Sequence, residues 1–191
     1  MKNEIWTAKQ KYMDRYDLTE NQAKQKMMFF YDDKKELFVA MEFSNYHFQD
    51  KNFYLFKANN IDNFSNEPIA QIKFMKQKND ELFIRRLEFI NNNYKGKGYA
   101  SAFIKCFEHF AEKENCKTIT GELVPLHNET EQKVKNFYLR NGFVITQNSA
   151  EPSKLCKSVE EVEKHLAQGI DIITETPFSK FNTFDDYEME L

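Results

Sequence analysis

The segment that most restricts this chain is Asn91-Asn-Asn-Tyr94-Lys95-Gly96-Lys97-Gly98, set between a strand-like run and a helix-like one. Before it, Glu81 to Ile90 (ELFIRRLEFI) reads as a strand. After it, Tyr99, Phe103, Cys106, Phe107 and Phe110 form one apolar helical stripe, with Lys105, Glu108, Glu112 and Lys113 on the opposite face. The start of a helix leaves up to about four backbone N–H groups without intrahelical partners. Those donors and the helix dipole favour an anion. Gly96 and Gly98 would let the backbone approach a diphosphate without a Cβ in the way, and Lys95 and Lys97 add positive charge at the rim. The residues alone leave two readings open, an anion-binding loop or a plain connection with two turn glycines. Two familiar phosphate loops are excluded. The Walker spacing with its terminal Gly-Lys-Ser/Thr is absent, and the dinucleotide fingerprint would need a third glycine where Ser101 stands.

The flanking segments set the fold class. Apolar residues recur at helical spacing from Asp17-Leu-Thr-Glu20 through Ala23, Met27 and Phe30, with Asp17 or Thr19 as the cap. Leu37–Phe43 and Asn52–Ala58 then read as strands, and residues 59–68 as a loop. Ile69–Gln77 and Glu81–Ile90 are joined by a short Lys-Asn-Asp turn, which suits an antiparallel hairpin. Beyond the glycine loop and its helix, Thr118–Val124 reads as a strand. Asn128 or Thr130 starts a second helix that stops at Asn141-Gly142, and Phe143–Gln147 is again a strand. Strand, helix, strand is a βαβ unit and adds a parallel pair to the sheet. Residues 149–183 are less regular, with Ser158 capping a helix over 159–167, a loop after it, and a last strand over Asp186–Leu191. The expectation is a single α+β domain over residues 1–191: a mixed, mostly antiparallel sheet with one βαβ unit and an acidic insertion at about 149–183 before the last strand.

Composition narrows the function. An apolar content of 41%, with 19 Phe and 9 Tyr, supplies an aromatic core, while 5 Gly and 4 Pro are too few for a disordered chain. A net charge of −3 gives no reason to expect a nucleic-acid partner. Charge is uneven, because ten acids face four lysines beyond residue 150, which is either a solvated surface or a lure for a cationic substrate. Cys106, Cys116 and Cys156 are odd in number and lack zinc spacing, and His47, His109, His127 and His165 form no ligand cluster with them, so no metal is expected. Cys106 lies in the helical stripe and reads as core rather than nucleophile. The first residues lack a signal-type apolar region, and no apolar run reaches the roughly 18 to 20 residues of a membrane span. The expected location is cytoplasmic, with no membrane partner.

Two linked segments resemble the GNAT superfamily of acyl-CoA-dependent N-acyltransferases. One is Ile90-Asn-Asn-Asn-Tyr94-Lys95-Gly96-Lys97-Gly98-Tyr99-Ala100, similar to the family's strand, Pro-x-Tyr-Arg-Gly-x-Gly-x-Gly/Ala and helix. The other is Phe137-Tyr138-Leu-Arg-Asn-Gly142-Phe143, similar to its Phe/Leu-Tyr-x-x-x-Gly-Phe helix end. Order and spacing agree from Leu82 to Ile145. Asn92 stands where proline is common, Asn93 where Gln, Arg or an acid is common, and Lys95 replaces an arginine, supplying a point charge instead of a bidentate fork.

The resemblance implies a GNAT-like fold with acetyl-CoA as co-substrate. It also implies direct transfer, in a ternary complex, to an amine on a small molecule or a protein. Backbone groups near Phe89 and Ile90 would hold the pantetheine arm, and Lys95, Gly96, Lys97, Gly98, Tyr99 and Ala100 would cradle the pyrophosphate. Asn128 would lie near the pantetheine, about one turn earlier than the family's usual asparagine. Tyr138 takes the general-acid position, where a phenol of pKa about 10 can protonate a thiolate whose acid has a pKa of about 8.5. Glu88, two residues before Ile90, is the candidate base, with Glu122 second. The bland alternatives are an aromatic packing role for Tyr138 and a salt bridge from Glu88 to Arg86 or Arg85. His127 is a weaker candidate for the acceptor site. Residues 149–183 are a candidate homodimer interface or a lid. A CoA-binding sensor or interaction module without catalysis is the competing reading of the whole chain.

Overall fold

The computed structural model describes residues 2–32, 34–43, 51–58, 67–78, 80–123, 130–146, 153–159 and 172–173. The chain begins with helices α1 (Lys2–Tyr16) and α2 (Glu20–Lys26), followed by strands β1 (Met27–Tyr31), β2 (Leu37–Phe43), β3 (Lys51–Lys57), β4 (Ala70–Gln77) and β5 (Glu81–Phe89). A 3-10 turn over Asn92–Tyr94 leads into α3 (Tyr99–Lys113), β6 (Thr118–Glu122) and α4 (Glu131–Arg140). Strands β7 (Val144–Thr146), β8 (Lys154–Ser158) and β9 (Ile172–Ile173) complete the described elements. All strands join one sheet in the order β7-β8-β6-β5-β4-β3-β2-β1-β9, in which β5 and β6 are parallel and every other neighbouring pair is antiparallel. The architecture is mixed α+β and mostly antiparallel, with the one parallel pair made by the βαβ crossover through α3. No helix among the described residues is long and apolar enough to cross a membrane.

Strand alternation sends side chains to two cores on opposite faces of the sheet. The larger core lies under α3 and α4. In it Phe53 stacks on Phe103 at 5.5 Å and meets Phe107 edge-on, and Phe74 meets Phe107 and Phe110 edge-on. The smaller core lies under α1 and α2 and reaches only β1, β2 and β3, through residues such as Met27, Phe29, Val39, Met41 and Phe56. The sheet is therefore covered along most of one face and along one half of the other, as far as the described residues extend.

Several elements differ from the sequence reading. Helix α1 was not anticipated. Its Ile5, Ala8, Tyr12 and Tyr16 recur at three- and four-residue steps, and Tyr12 is fully buried against Tyr16 and Phe56. Thr19, not Asp17, caps α2, in a reciprocal capping box with Gln22. The helix stops at Lys26, and Met27–Tyr31 is a strand because Met28 and Phe30 enter one core while Met27 and Phe29 enter the other. A helix would bury one stripe of this run, whereas a central strand buries both faces. Lys154–Ser158 is a strand, β8, that the sequence reading did not include, and it inserts between β6 and β7. The helix expected over 159–167 and the strand expected over Asp186–Leu191 lie outside the described residues, apart from Val159.

Glu108, expected on the solvent face of α3, is buried. Its carboxylate accepts a hydrogen bond from the Lys157 ammonium at 2.6 Å, and Lys157 also donates to the Asn141 carbonyl at 2.7 Å and stands 5.6 Å from the Phe143 ring centre. With both side chains under 5% exposed, this ion pair ties α3, β8 and the end of α4 together. Removing one partner strands a buried charge, at a cost of about 3–5 kcal/mol. Chemical denaturation of Lys157→Met is expected to show a loss of that size, and the double change Lys157→Met with Glu108→Leu is expected to recover most of it.

His109 supplies a pH prediction. Its Nδ1 lies 2.9 Å from the Glu112 carboxylate, and its buried Nε2 has no partner among the described residues. Burial, then the nearby Lys113 charge, lower its pKa below the usual imidazole value, against an opposing pull from Glu112. The unfolded chain thus binds this proton more readily, so the contribution of neutral His109 to stability is fully present above the unfolded value of about 6.5 and is lost as pH falls below it through the lower folded pKa. Melting curves at about pH 7.5 and about pH 5.5 should show an acid-induced drop that is smaller in His109→Leu.

Candidate functional site

The site begins where the parallel ladder ends. Strands β5 and β6 pair from Glu81 with Thr118 to Ile84 with Gly121, and no further among the described residues. Their last contact is tight, since a Cβ on Gly121 would sit 2.8 Å from the Ile84 carbonyl oxygen. In the next step the register of β4 against β5 slips. Phe74 opposes Ile84 while Lys73 opposes Arg86, which leaves Arg85 as a bulge. A bulge bends its strand and strengthens the local twist. Beyond it β5 continues beside β4, while β6 continues beside β8 to Glu122 and Lys154, so among the described residues the two parallel strands no longer pair.

The bulge also resets which residues face which way. Leu82 and Ile84 before it, and Leu87 and Phe89 after it, all pack towards the larger core. Arg86 and Glu88 consequently face the opposite side. The Ile90 and Asn91 N–H groups both donate to the Ile69 carbonyl, at 2.9 and 3.1 Å. Polar backbone groups alternate between the two edges of a strand, so the Phe89 amide points to the other edge, away from β4 and on the side of β6. Of the two residues expected to bind with their backbone, Phe89 thus presents its N–H to that edge, and that of Ile90 is used within the sheet.

The glycine loop follows directly. The Asn91 side chain accepts a hydrogen bond from the Asn93 N–H at 3.0 Å and starts the 3-10 turn, whose end is closed by the Lys95 N–H donating to the Asn92 carbonyl at 3.1 Å. Gly96 and Gly98 have φ of 76° and 84°, the left-handed region that favours glycine, with open space where a Cβ would project. Gly98 is the N-cap of α3 and offers no side chain to it. Its carbonyl accepts the first helical bonds, from Ser101 and Ala102 at 3.0 and 3.2 Å, so the Tyr99 and Ala100 N–H groups precede the helical ladder. Lys95 and Lys97 are exposed at the rim. A small cavity of about 100 Å³ lies beside the loop, between Lys97, Gly98, Tyr99 and Ala102 on one side and Phe30, Tyr31 and Asp32 on the other.

Tyr99 turns its ring inward. The ring lies 4.9 Å from Phe38 and meets Tyr94 edge-on, and its hydroxyl donates to the Asp32 carboxylate at 2.9 Å. Burial first, and then that hydrogen bond, push the phenol far above its usual pKa. The other Asp32 oxygen accepts from the Lys34 and Glu36 N–H groups at 3.0 and 2.8 Å, so the β1–β2 turn holds the carboxylate in place. Of Tyr99, only the backbone is left to face a ligand, and its side chain anchors the loop. This link spans 67 residues of chain and has no signature in the sequence.

Tyr138 lies on α4, 7% exposed, edge-on to Phe137 and Phe143 at 5.1 and 5.2 Å. It belongs to the larger core, against which Phe89 and Tyr94 also pack, and is therefore on the α3 side of the sheet. Glu88 is on the other side. One of its oxygens lies 2.6 Å from an Arg86 guanidinium nitrogen and the other accepts from the Gln71 amide, so the salt bridge foreseen as its bland role is present. Tyr54 stands in the same cross-strand row, its phenol pKa raised by burial and then by the Glu88 charge. Glu122 is exposed opposite Lys154 at the end of β6. Asn128 and His127 lie outside the described residues. Among those residues, no group of three or more His, Cys, Asp or Glu side chains could hold a metal ion.

No family model matches this chain, and no curated protein matches it. Solved structures do. The chain is similar to an acetyltransferase of the GNAT family from Staphylococcus aureus, at 10% identity over 58% of this chain and 68% of the other, with a TM-score of 0.45. It is also similar to GCN5 from Tetrahymena, at 11% identity over 58% and 69% of the two chains, TM-score 0.45. A chimeric spermidine N-acetyltransferase from Vibrio cholerae gives 14% identity over 62% and 72%, TM-score 0.49. The chemistry of the site stands on the residues and geometry above.

The Tyr99 anchor makes a prediction. Tyr99→Phe deletes a hydrogen bond to a carboxylate, worth about 1.5–3 kcal/mol. Denaturation should show a loss within that range, and amide exchange at Gly96–Ala102 should accelerate while that of β4 stays slow.

Proposed function

We propose that this protein is an N-acetyltransferase that moves the acetyl group of acetyl-CoA directly to an amine acceptor in a ternary complex. The observation that carries the reading is the parting of β5 from β6 immediately ahead of a glycine loop that caps α3 with bare amides. In this reading the pantetheine arm lies along the free edge of β5 as an added strand, meeting the Phe89 amide. The pyrophosphate sits over the Gly96–Ala100 amides, with Lys95 and Lys97 as counter-charges. One backbone N–H at that β5 edge, near Phe89, polarises the thioester carbonyl without needing to reorganise. Tyr138 protonates the departing thiolate. Glu88 takes the proton from the incoming ammonium, directly or through water, and Arg86 and Gln71 hold its carboxylate for that purpose.

One observation favours a second reading, a CoA-binding module without turnover: both oxygens of Glu88 already have protein partners. The two readings separate in one experiment. Acetyl-CoA is expected to raise the melting temperature in either case, and release of free thiol with a panel of amines occurs only for the enzyme. Tyr138→Phe is expected to lower kcat about 10²-fold or more while leaving the acetyl-CoA-induced shift in place. Binding without thiol release for any amine would establish the module, and an absent thermal shift would remove both readings.

A further inference from the structure

The face of β4 and β5 turned away from α3 carries a concentration of positive charge that the sheet itself does not require. Two cross-strand rows run over it, about 7 Å apart, two residues along the strands. One row is Tyr54, Gln71 and Glu88, and the next is Asn52, Lys73 and Arg86. Lys73 stands directly opposite Arg86, and like charges in that position destabilise an antiparallel pair. The bulge adds Arg85 beside them, and both arginines are exposed. Glu88 meets Arg86 through one terminal nitrogen, and a guanidinium has five N–H donors to distribute. The Asn52 side-chain oxygen is buried with no hydrogen-bond partner among the described residues. Helices α1 and α2 cover this face only as far as β3, so among the described residues the rows over β4 and β5 stay open.

We infer that the acceptor carries a carboxylate as well as an amine, with the carboxylate seated between Lys73 and Arg86 and the amine reaching Glu88. The inference rests on the proposed acetyl transfer and names the acceptor class of that site. An anion bridging the two cations offsets their repulsion through charge-assisted hydrogen bonds. Arg86 then binds Glu88 and the acceptor carboxylate at once, which sets the amine beside the base. The spacing of the rows suits an amine and a carboxylate a few bonds apart, as in a free amino acid.

Titration calorimetry tests this with free amino acids, each beside its own C-terminal carboxamide, on protein with and without saturating CoA. The expected result is a preference of about ten-fold or more for the carboxylate member of at least one pair. In Lys73→Met that preference should collapse towards equality, and in Lys73→Arg it should persist, with circular dichroism confirming that each variant is folded. Equal affinity within every pair, binding of neither member, or a preference that survives Lys73→Met would overturn the inference. So would tight binding of phosphoethanolamine with none of any amino acid. The CoA titration reports on the transfer reading separately, because loss of CoA binding leaves the amino-acid comparison without CoA still interpretable.

Discussion

The extra residue at Arg85 is the constraint from which the rest of the arrangement follows. One residue out of register reverses the facing of every later side chain on β5. It turns Leu87 and Phe89 into the larger core and leaves Arg86 and Glu88 on the open face. It also bends β5 just after Gly121, where a Cβ would sit 2.8 Å from the Ile84 carbonyl oxygen and the last pair of the parallel ladder is made. Without the bulge the alternation set by Leu82 and Ile84 would continue, placing Arg86 and Glu88 against α3, where two charges would lose their hydration inside an aromatic core.

That phase change was not read from the sequence, because Leu82-Phe-Ile84 is apolar throughout and only the register of β4 against β5 shows where the facing turns over. The legible features were local. The Thr130 cap of α4, the left-handed Gly142 after it, the hairpin of β4 with β5 and the parallel crossover through α3 all follow from spacings of a few residues. What was not legible depends on distant partners. The apolar side of α1 is thin, and only its contacts on the sheet, Tyr12 against Phe56 and Tyr16 edge-on to Phe43, explain why that side is buried. The run from Met27 to Tyr31 suits a helix or a strand by composition, and a place inside the sheet decides it. Lys157 looks like a surface lysine until β8 sets it beside Glu108, 49 residues away in sequence.

The candidate site divides the same way. Positions of the loop glycines and of Tyr138 could be named from their motifs, since each motif fixes a turn or a helix end. Which amide faces away from β4 could not, because the answer lies in the bond from Ile90 to Ile69, set by the β4–β5 register. The engagement of Glu88 by Arg86 was foreseen as an alternative, yet Gln71 was not, since it arrives from the neighbouring strand.

The uneven cover of the sheet gives the parting of β5 from β6 its significance. Helices α3 and α4 occupy one face, with the bare amides at the start of α3 and Tyr138 on that side. The opposite face over β4 and β5 holds Glu88 with its row of polar and cationic neighbours. An intact sheet is a continuous wall of hydrogen-bonded backbone, and two substrates on opposite faces of such a wall could not touch. Where β5 and β6 part, that wall has an opening bordered by backbone groups no longer used by the ladder. In the proposed transfer, acetyl-CoA approaches from the α3 side and the acceptor from the Glu88 side. The acid and the base can then act on opposite sides of the same thioester carbon without competing for room. The bulge that rescues two charged residues from the core is thus also what would let the two halves of the reaction meet.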